Sequence, residues 1–229
     1  MTSILDRYND SFTAFESWNL TDFSDKKQAL HQLGNQLPAA LANVFQYQFN
    51  HAEAVVAEPQ SLTSPTGETN ELYTQGRGVS IVLVDSGAPN CSRALVAMLA
   101  ALLSAGNSAI ICTNDNEIEA LFEPFKSQHQ SIANLVQFVP KEQYAALLKF
   151  DIRNFVYIGD QAKTVELSTE LATRSNAITA MVAETDLENL PLSKDPMLVL
   201  RFITEKVRTI NVTAVGGNAM LLELGSSAH

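Results

Sequence analysis

Between residues 79 and 182, short apolar runs alternate with segments of helical pattern, and this alternation is the strongest constraint on the fold. Val79-Ser-Ile-Val-Leu-Val84 is a run of strand length with no polar face. Such a run suits a strand covered on both sides, as in a parallel sheet. Four more runs follow: Ala109–Cys112, Leu135–Val139, Phe155–Ile158 and Ile178–Val182. Between them lie helical patterns over Ser92–Ser104, Glu117–Ser127 (interrupted by Pro124), Lys141–Leu148 and Ala162–Arg174. Gly106-Asn107 reads as a left-handed helix cap. Strands alternating with helices predict an α/β protein, a Rossmann-like doubly wound parallel sheet.

Residues 1–57 read as helices that precede this core. Phe12, Phe15 and Trp18 recur on one face. Asp25 is expected to cap a helix carrying Ala29, Leu30, Leu33 and Leu37, and Pro38 to open the next one through Phe45 and Phe49. Residues 58–70 hold Pro59, Pro65, Gly67 and Asn70 and read as a linker. The organisation expected is a helical segment and linker over 1–71, packing on the core, an α/β domain over 72–208, and a terminal β-hairpin over 209–225. A last helix is expected over Met197–Val207. In the hairpin, a β-branched run (Ile210 to Thr213) leads through Gly216-Gly217-Asn218 into a second apolar run, Ala219–Leu224. A hairpin alone is only marginally stable. It is expected to pair within this chain or with another one, with Asn211, Thr213, Gly216, Gly217 and Asn218 as candidate interface residues.

The net charge of −10 and the pI of about 4.8 describe a surface that repels phosphate backbones, so no nucleic acid partner is expected. Two cysteines, Cys91 and Cys112, make no disulfide framework, and no zinc-ligand spacing occurs, so no metal is expected. Met1–Asp10 lacks the apolar segment of a signal peptide, and Ala94–Ala105 is too short to cross a bilayer. A soluble cytoplasmic protein without a membrane partner is expected.

Ligands of doubly wound sheets bind at the carboxyl ends of the strands. Those ends carry Asp85-Ser86-Gly87, Thr113-Asn114-Asp115, Pro140 and Gly159-Asp160. None begins a G-x-G-x-x-G fingerprint, and no phosphate-binding P-loop occurs. Asp85, Asp115 and Asp160 read as caps for the helices that follow; pyrophosphate prefers amides and cations there. Cys91 opens a helix, which can lower a thiol pKa, but no histidine is near it in sequence. Cys112 closes an apolar strand and reads as a buried hydrophobe.

Four stretches occur in a telling order: Pro65-Thr-Gly-Glu-Thr-Asn-Glu-Leu72, Ala105-Gly-Asn-Ser-Ala-Ile-Ile111, Tyr157-Ile-Gly159 and Asn211-Val-Thr-Ala-Val-Gly-Gly-Asn218. Together they resemble the C-terminal domain of the long forms of proline utilization A. These are bifunctional flavoenzymes joining a proline dehydrogenase to a Δ1-pyrroline-5-carboxylate (glutamate semialdehyde) dehydrogenase. Their extra domain is a degenerate, non-catalytic relative of the aldehyde dehydrogenase NAD-binding domain. The resemblance runs from about Lys27 to Gly225. Gly106-Asn-Ser-Ala-Ile-Ile-Cys-Thr113 is similar to the aldehyde dehydrogenase stretch G-N-T-V-V-x-K-P, and Tyr157-Ile-Gly-Asp160 to F-T-G-S.

The departures from that pattern matter most. Where the family has a ribose-binding lysine this chain has Cys112, and where it has a serine near the pyrophosphate this chain has Asp160. Asp85, Ser86, Cys112, Gly159 and Asp160 would line a degenerate crevice, so no cofactor is expected, with NAD at most a weak ligand. Glu184 matches the catalytic glutamate of E-L-G-G, but the L-G-G is absent and it reads as a loop carboxylate. About 45 residues follow Glu184, whereas a catalytic domain runs to well over about 100, so no catalytic residue is expected. The resemblance implies a module that associates with a proline utilization or 1-pyrroline-5-carboxylate dehydrogenase enzyme, or with itself as a homo-oligomer. The alternatives are an NAD-dependent semialdehyde dehydrogenase or a subunit of one, and a nucleotide or small-molecule sensor.

Overall fold

The structure, a computed structural model, describes residues 3–85, 87–124 and 130–211. Three helices open it: α1 (Ile4–Leu20), α2 (Phe23–Gln36) and α3 (Ala39–Val56). Ser3 and Asp6 form a reciprocal capping box at the start of α1. Asp22, not Asp25, holds the N-cap position of α2, and Pro38 holds that of α3. The chain continues as β1 (Gln60–Leu62), β2 (Glu68–Gly76), β3 (Val79–Val84), α4 (Cys91–Ser104), β4 (Ser108–Cys112) and α5 (Asn116–Ala120). It closes with β5 (Val136–Val139), α6 (Tyr144–Leu147), β6 (Asn154–Ile158), α7 (Thr164–Ala172), β7 (Ala180–Glu184) and β8 (Ile203–Asn211).

The main sheet has five strands in the order β5-β4-β3-β6-β7, every pair parallel. The chain moves outward from β3 through β4 to β5, then returns to the other side of β3. The order reverses between β3 and β6, which makes this the topological switch point of a doubly wound sheet. Alternate residues of each strand feed two cores. Val82, Val84, Ile111, Val156 and Ile158 join one with Trp18, Leu30, Phe45, Phe49 and α4. Ile81, Leu83, Ile110, Cys112, Phe155 and Tyr157 join the other with Leu147, Leu167 and Leu171. Burial on both faces is why these strands read as unbroken apolar runs.

Helix α4 is buried over nearly its whole length, including every residue from Ala94 to Ser104. A helix apolar all round needs cover on all sides. Helices α2 and α3 supply it through Leu30, Leu33, Phe45, Phe49 and Ala52, and Trp18 of α1 donates from Nε1 to the Leu103 carbonyl at 2.8 Å. The opening helices therefore share one core with the sheet.

A second, antiparallel sheet has the order β1-β2-β8. Residues 58–70, expected as a linker, hold β1 and the start of β2, and positions 71 and 72 both lie inside β2. The helix expected over Met197–Val207 is replaced by a 3-10 turn, Leu198–Arg201, and by β8. Leu198, Val199 and Phe202 are buried and anchor the turn, after which the chain pairs with β2 from Gly76↔Ile203 to Glu68↔Asn211. Backbone pairing decides this segment, helped by an Arg208–Glu71 ion pair and a Thr209–Asn70 hydrogen bond across the strands. Of the expected hairpin, Thr209–Asn211 form the end of β8; residues 212–229 lie outside the described residues.

The two sheets meet at Asn107, which is fully buried just beyond α4. Its Oδ1 accepts from the backbone N–H of Arg77 (2.7 Å) and of Gly78 (3.1 Å), and from Asn154 Nδ2 (3.2 Å). Its Nδ2 donates to the carbonyls of Leu102 (3.1 Å) and Phe202 (3.0 Å). Gly106 before it has φ +94°, the left-handed cap expected there. At Gly76 a Cβ would lie 2.5 Å from the Gly106 carbonyl carbon, so the two backbones approach as only glycine allows. Asn107→Ala would take away the side-chain partner of the Arg77 and Gly78 N–H groups and of the Phe202 carbonyl. It should lower unfolding free energy by about 3 kcal/mol or more, read as a drop in the urea midpoint.

Candidate functional site

The switch point lies between the carboxyl ends of β3 and β6, where the chain passes from Val84 into Asp85 and from Ile158 into Gly159-Asp160. The Asp85 N–H donates to the Ile158 carbonyl at 2.9 Å, which holds the first residue after β3 against the end of β6. A cavity of about 770 Å³ opens beside it, lined by Asp85, Gly87, Thr113, Asp115, Glu117 and Lys141.

Asp85 was expected to cap the following helix. Instead its carboxylate receives two lysines: Lys141 Nζ lies 2.7 Å from Oδ1 and Lys163 Nζ 2.8 Å from Oδ2. The Asp85 side chain is 14% exposed, and those of Lys141 and Lys163 are 35% and 30% exposed. Partial burial alone would raise the Asp85 carboxyl. The hydrogen bonds and charges of the two lysines together outweigh it and hold the group below the usual carboxylate range. The two lysines come from the turns after β5 and β6, so three strand ends converge on one ion triad.

Asp160 and Asp115 are caps. Asp160 Oδ1 accepts from the Ala162 N–H at 2.8 Å, and Asp115 Oδ1 from Glu117 (2.9 Å) and Ile118 (3.3 Å). Gly159 is bare because the Tyr157 hydroxyl would lie 2.5 Å from a Cβ there. That hydroxyl donates to the Asp160 carbonyl at 3.1 Å, and burial, aided by the Asp85 charge, pushes it up to about 12. Cys112 is fully buried in the core on the α6/α7 side, and burial pushes its thiol up. It supplies no charge to the crevice. Cys91 is also buried, in the opposite core. Ser86, Thr213, Gly216, Gly217 and Asn218 lie outside the described residues; Asn211 ends β8 opposite Glu68. Among the described residues, no three His, Cys, Asp or Glu side chains gather as a metal site, and no helix is long and apolar enough to cross a membrane.

Glu184, expected on a loop, ends β7 and is 1% exposed. Its Oε2 accepts from the Ser193 N–H (2.8 Å) and hydroxyl (3.0 Å). The Ser193 segment is held in turn by Gln48 Nε2, which donates to the carbonyls of Ser193 (2.9 Å) and Asp195 (3.0 Å). Burial raises the Glu184 carboxyl despite the Ser193 hydrogen bonds.

Lys141, Lys163 and Tyr157 are the residues of this site that sequence reasoning missed. The available signal was a lysine close behind each of two strand ends, in Pro140-Lys141 and Asp160-Gln-Ala-Lys163, with one carboxylate at a third.

No protein-family model matches the sequence, and no curated protein matches it. Solved structures do match. A structure of proline utilization A (PutA) with proline bound in remote sites aligns with a TM-score of 0.65 at 20% identity, over 78% of this chain and 21% of that one. A D778Y mutant of PutA from Bradyrhizobium japonicum gives 0.65 at 22% identity over the same shares. PnpE in complex with nicotinamide adenine dinucleotide gives 0.61 at 14% identity, over 80% of this chain and 42% of that one. The chain has the Rossmann-like fold of the aldehyde dehydrogenase NAD-binding domain. It spans about one fifth of the length of the PutA chains it matches.

The Asp85 and Glu184 carboxyls predict opposite pH responses. Asp85 is lower in the folded state, so its contribution is present above about pH 4 and is lost as pH falls through the folded value. Asp85→Ala should cost about 1 kcal/mol near neutrality and little in acid. Glu184 is higher in the folded state, so its contribution is complete below about pH 4.5 and is lost as pH rises through the folded value. Glu184→Gln should flatten that part of the profile. Urea midpoints across pH check both.

Proposed function

We propose that this chain is a non-catalytic, aldehyde-dehydrogenase-like module associated with proline catabolism, and that it works by protein association. Its partner on this reading is a proline utilization or 1-pyrroline-5-carboxylate dehydrogenase enzyme, or a second copy of itself. The observation that carries the reading is the Asp85–Lys141–Lys163 triad. Dinucleotides bind doubly wound sheets at the switch point, through helix N-terminal amides and cations. Here two cations at that point are both ion-paired with the protein's own Asp85 carboxylate, which offsets one of their two charges. Asp115 and Asp160 occupy the amides of the next turns, and the position of the ribose lysine is a buried thiol. A dianionic pyrophosphate would have to displace Asp85 and meet two further carboxylates, and like charges close together oppose binding.

Association is further supported by β8. It is the last strand of the small sheet among the described residues, and it exposes Val207 and Ile210. Strand addition at a sheet edge is a general mode of protein recognition. The same strand leads into the segment whose sequence most resembles the tail of the long proline utilization enzymes.

The cavity beside Asp85 favours a second reading, a sensor for a small polar molecule that meets Lys141. A direct dehydrogenase finds no nucleophile in the buried Cys91 and Cys112. Two measurements separate these readings. NAD at millimolar concentration should leave the melting temperature unchanged; a ligand at about 100 times its dissociation constant would add about 2.7 kcal/mol of stability. A proline utilization enzyme lacking such a domain should co-elute with the chain, or the chain should run as an oligomer by light scattering. A monomer that binds no such enzyme at micromolar concentration would sink the association reading, and a clear NAD shift would favour a nucleotide site.

A further inference from the structure

A second cavity lies on another part of the molecule, between α2, α3, β2 and the end of α4. Its volume is about 430 Å³, within the range of small-molecule sites, and Lys26, Ser104, Asp22, Tyr73, Gln75 and Arg208 line it. Lys26 is its unusual member. The residue is only 8% exposed, yet its ammonium has no carboxylate within ion-pairing distance among the described residues. It makes one long hydrogen bond, from Nζ to the Asn19 carbonyl at 3.3 Å, and sits 6.0 Å from the centre of the Trp18 ring. A buried, unpaired ammonium is costly unless the neutral amine is within reach. Burial lowers Lys26 to about 8, against the opposing pull of Asp22.

The other cation lining the cavity, Arg208, is ion-paired with Glu71 and so is not competing for the same ligand. Ser104 gives an independent sign of an unfilled polar place. It is 2% exposed, lines the same cavity, and its Oγ has no hydrogen-bond partner among the described residues. Buried hydroxyls are ordinarily satisfied, and one left open beside a cavity points to a ligand or solvent acceptor there. Lysine and serine approach the cavity from different elements, α2 and the end of α4.

From this cavity, its unpaired buried amine and its unsatisfied hydroxyl, we infer that Lys26 is a covalent docking site for a small carbonyl compound. The neutral amine adds to the carbonyl carbon: a C–N bond forms as the C=O π pair moves to oxygen. One proton passes from the nitrogen to that oxygen, giving a neutral carbinolamine, and the second leaves the nitrogen as water departs. Loss of water then leaves the imine, with no oxidant or reductant needed. Ser104 Oγ is unpartnered and buried at the cavity wall, and on this proposal it turns into the cavity to hydrogen-bond the carbinolamine oxygen. The site is separate from the switch-point crevice and does not depend on what binds there.

Reductive trapping tests this on the full chain. The native protein is treated with propanal and sodium cyanoborohydride at about pH 7, and each lysine's adduct is followed by peptide mass spectrometry. Lys26 should label about tenfold or more faster than the exposed Lys149 and Lys206, and urea should abolish the difference. Ser104→Ala should slow Lys26 while leaving Lys149 and Lys206 unchanged. Labelling of Lys26 no faster than the exposed lysines, or a preference that survives in urea, would overturn the proposal.

Discussion

One buried amide organises this molecule. Asn107 accepts from two backbone N–H groups of the β2–β3 connection and from Asn154 of β6, and donates to carbonyls at the end of α4 and just before β8. A carboxylate could accept but not donate, and a hydroxyl could not reach five partners. The side-chain amide alone offers both functions on one planar group. Its neighbours extend the polar seam: Asn154 donates also to Ser80 Oγ, and Asn19 Oδ1 accepts from the Gly76 N–H. These contacts sit where apolar packing has nothing to offer, at the gap between a sheet covered on both faces and a ribbon with little cover. Buried networks of this kind specify geometry as much as they stabilise it.

The ion triad sits where the fold places its ligand crevice, at the switch point between β3 and β6. The strand order, the crevice and the caps are those of a nucleotide-binding sheet, while the charge at its centre is satisfied from within. In a chain of net charge −10, two lysines converging on one point stand out, and Asp85 engages both of them. Function resides in such details of a site and not in its architecture.

The sequence made the main sheet legible because its strands are buried on both faces. Val79–Val84 matches β3 residue for residue, and the other four runs fall within two residues of their strands. The small sheet was not legible. β8 is exposed from Thr204 onward, so it has no apolar face to give it a period, and its Glu, Lys and Arg residues suit a helix equally well. Only its partner β2 decides the matter. The crevice was half legible. Asp115 and Asp160 act through neighbours two or three residues away, which a local pattern can reveal. Asp85 meets lysines 56 and 78 positions along the chain, a pairing that only the strand order creates. Glu184 was misplaced for a similar reason, since Ser193 and Gln48 bury it from outside its own segment.

The connection from β2 to β3 has a mechanical consequence. Only Arg77 and Gly78 separate the last residue of an exposed ribbon from the first residue of the central, fully buried strand. Both of their N–H groups are pinned to Asn107. The ribbon is thus a cantilever clamped at the middle of the main sheet rather than a flap hung from a loop. Whatever engages its far end works against the stiffness of the core, with little slack at the root. A grip on β8 would reorient the whole body of the molecule, and a body held in place would present β8 at a fixed angle.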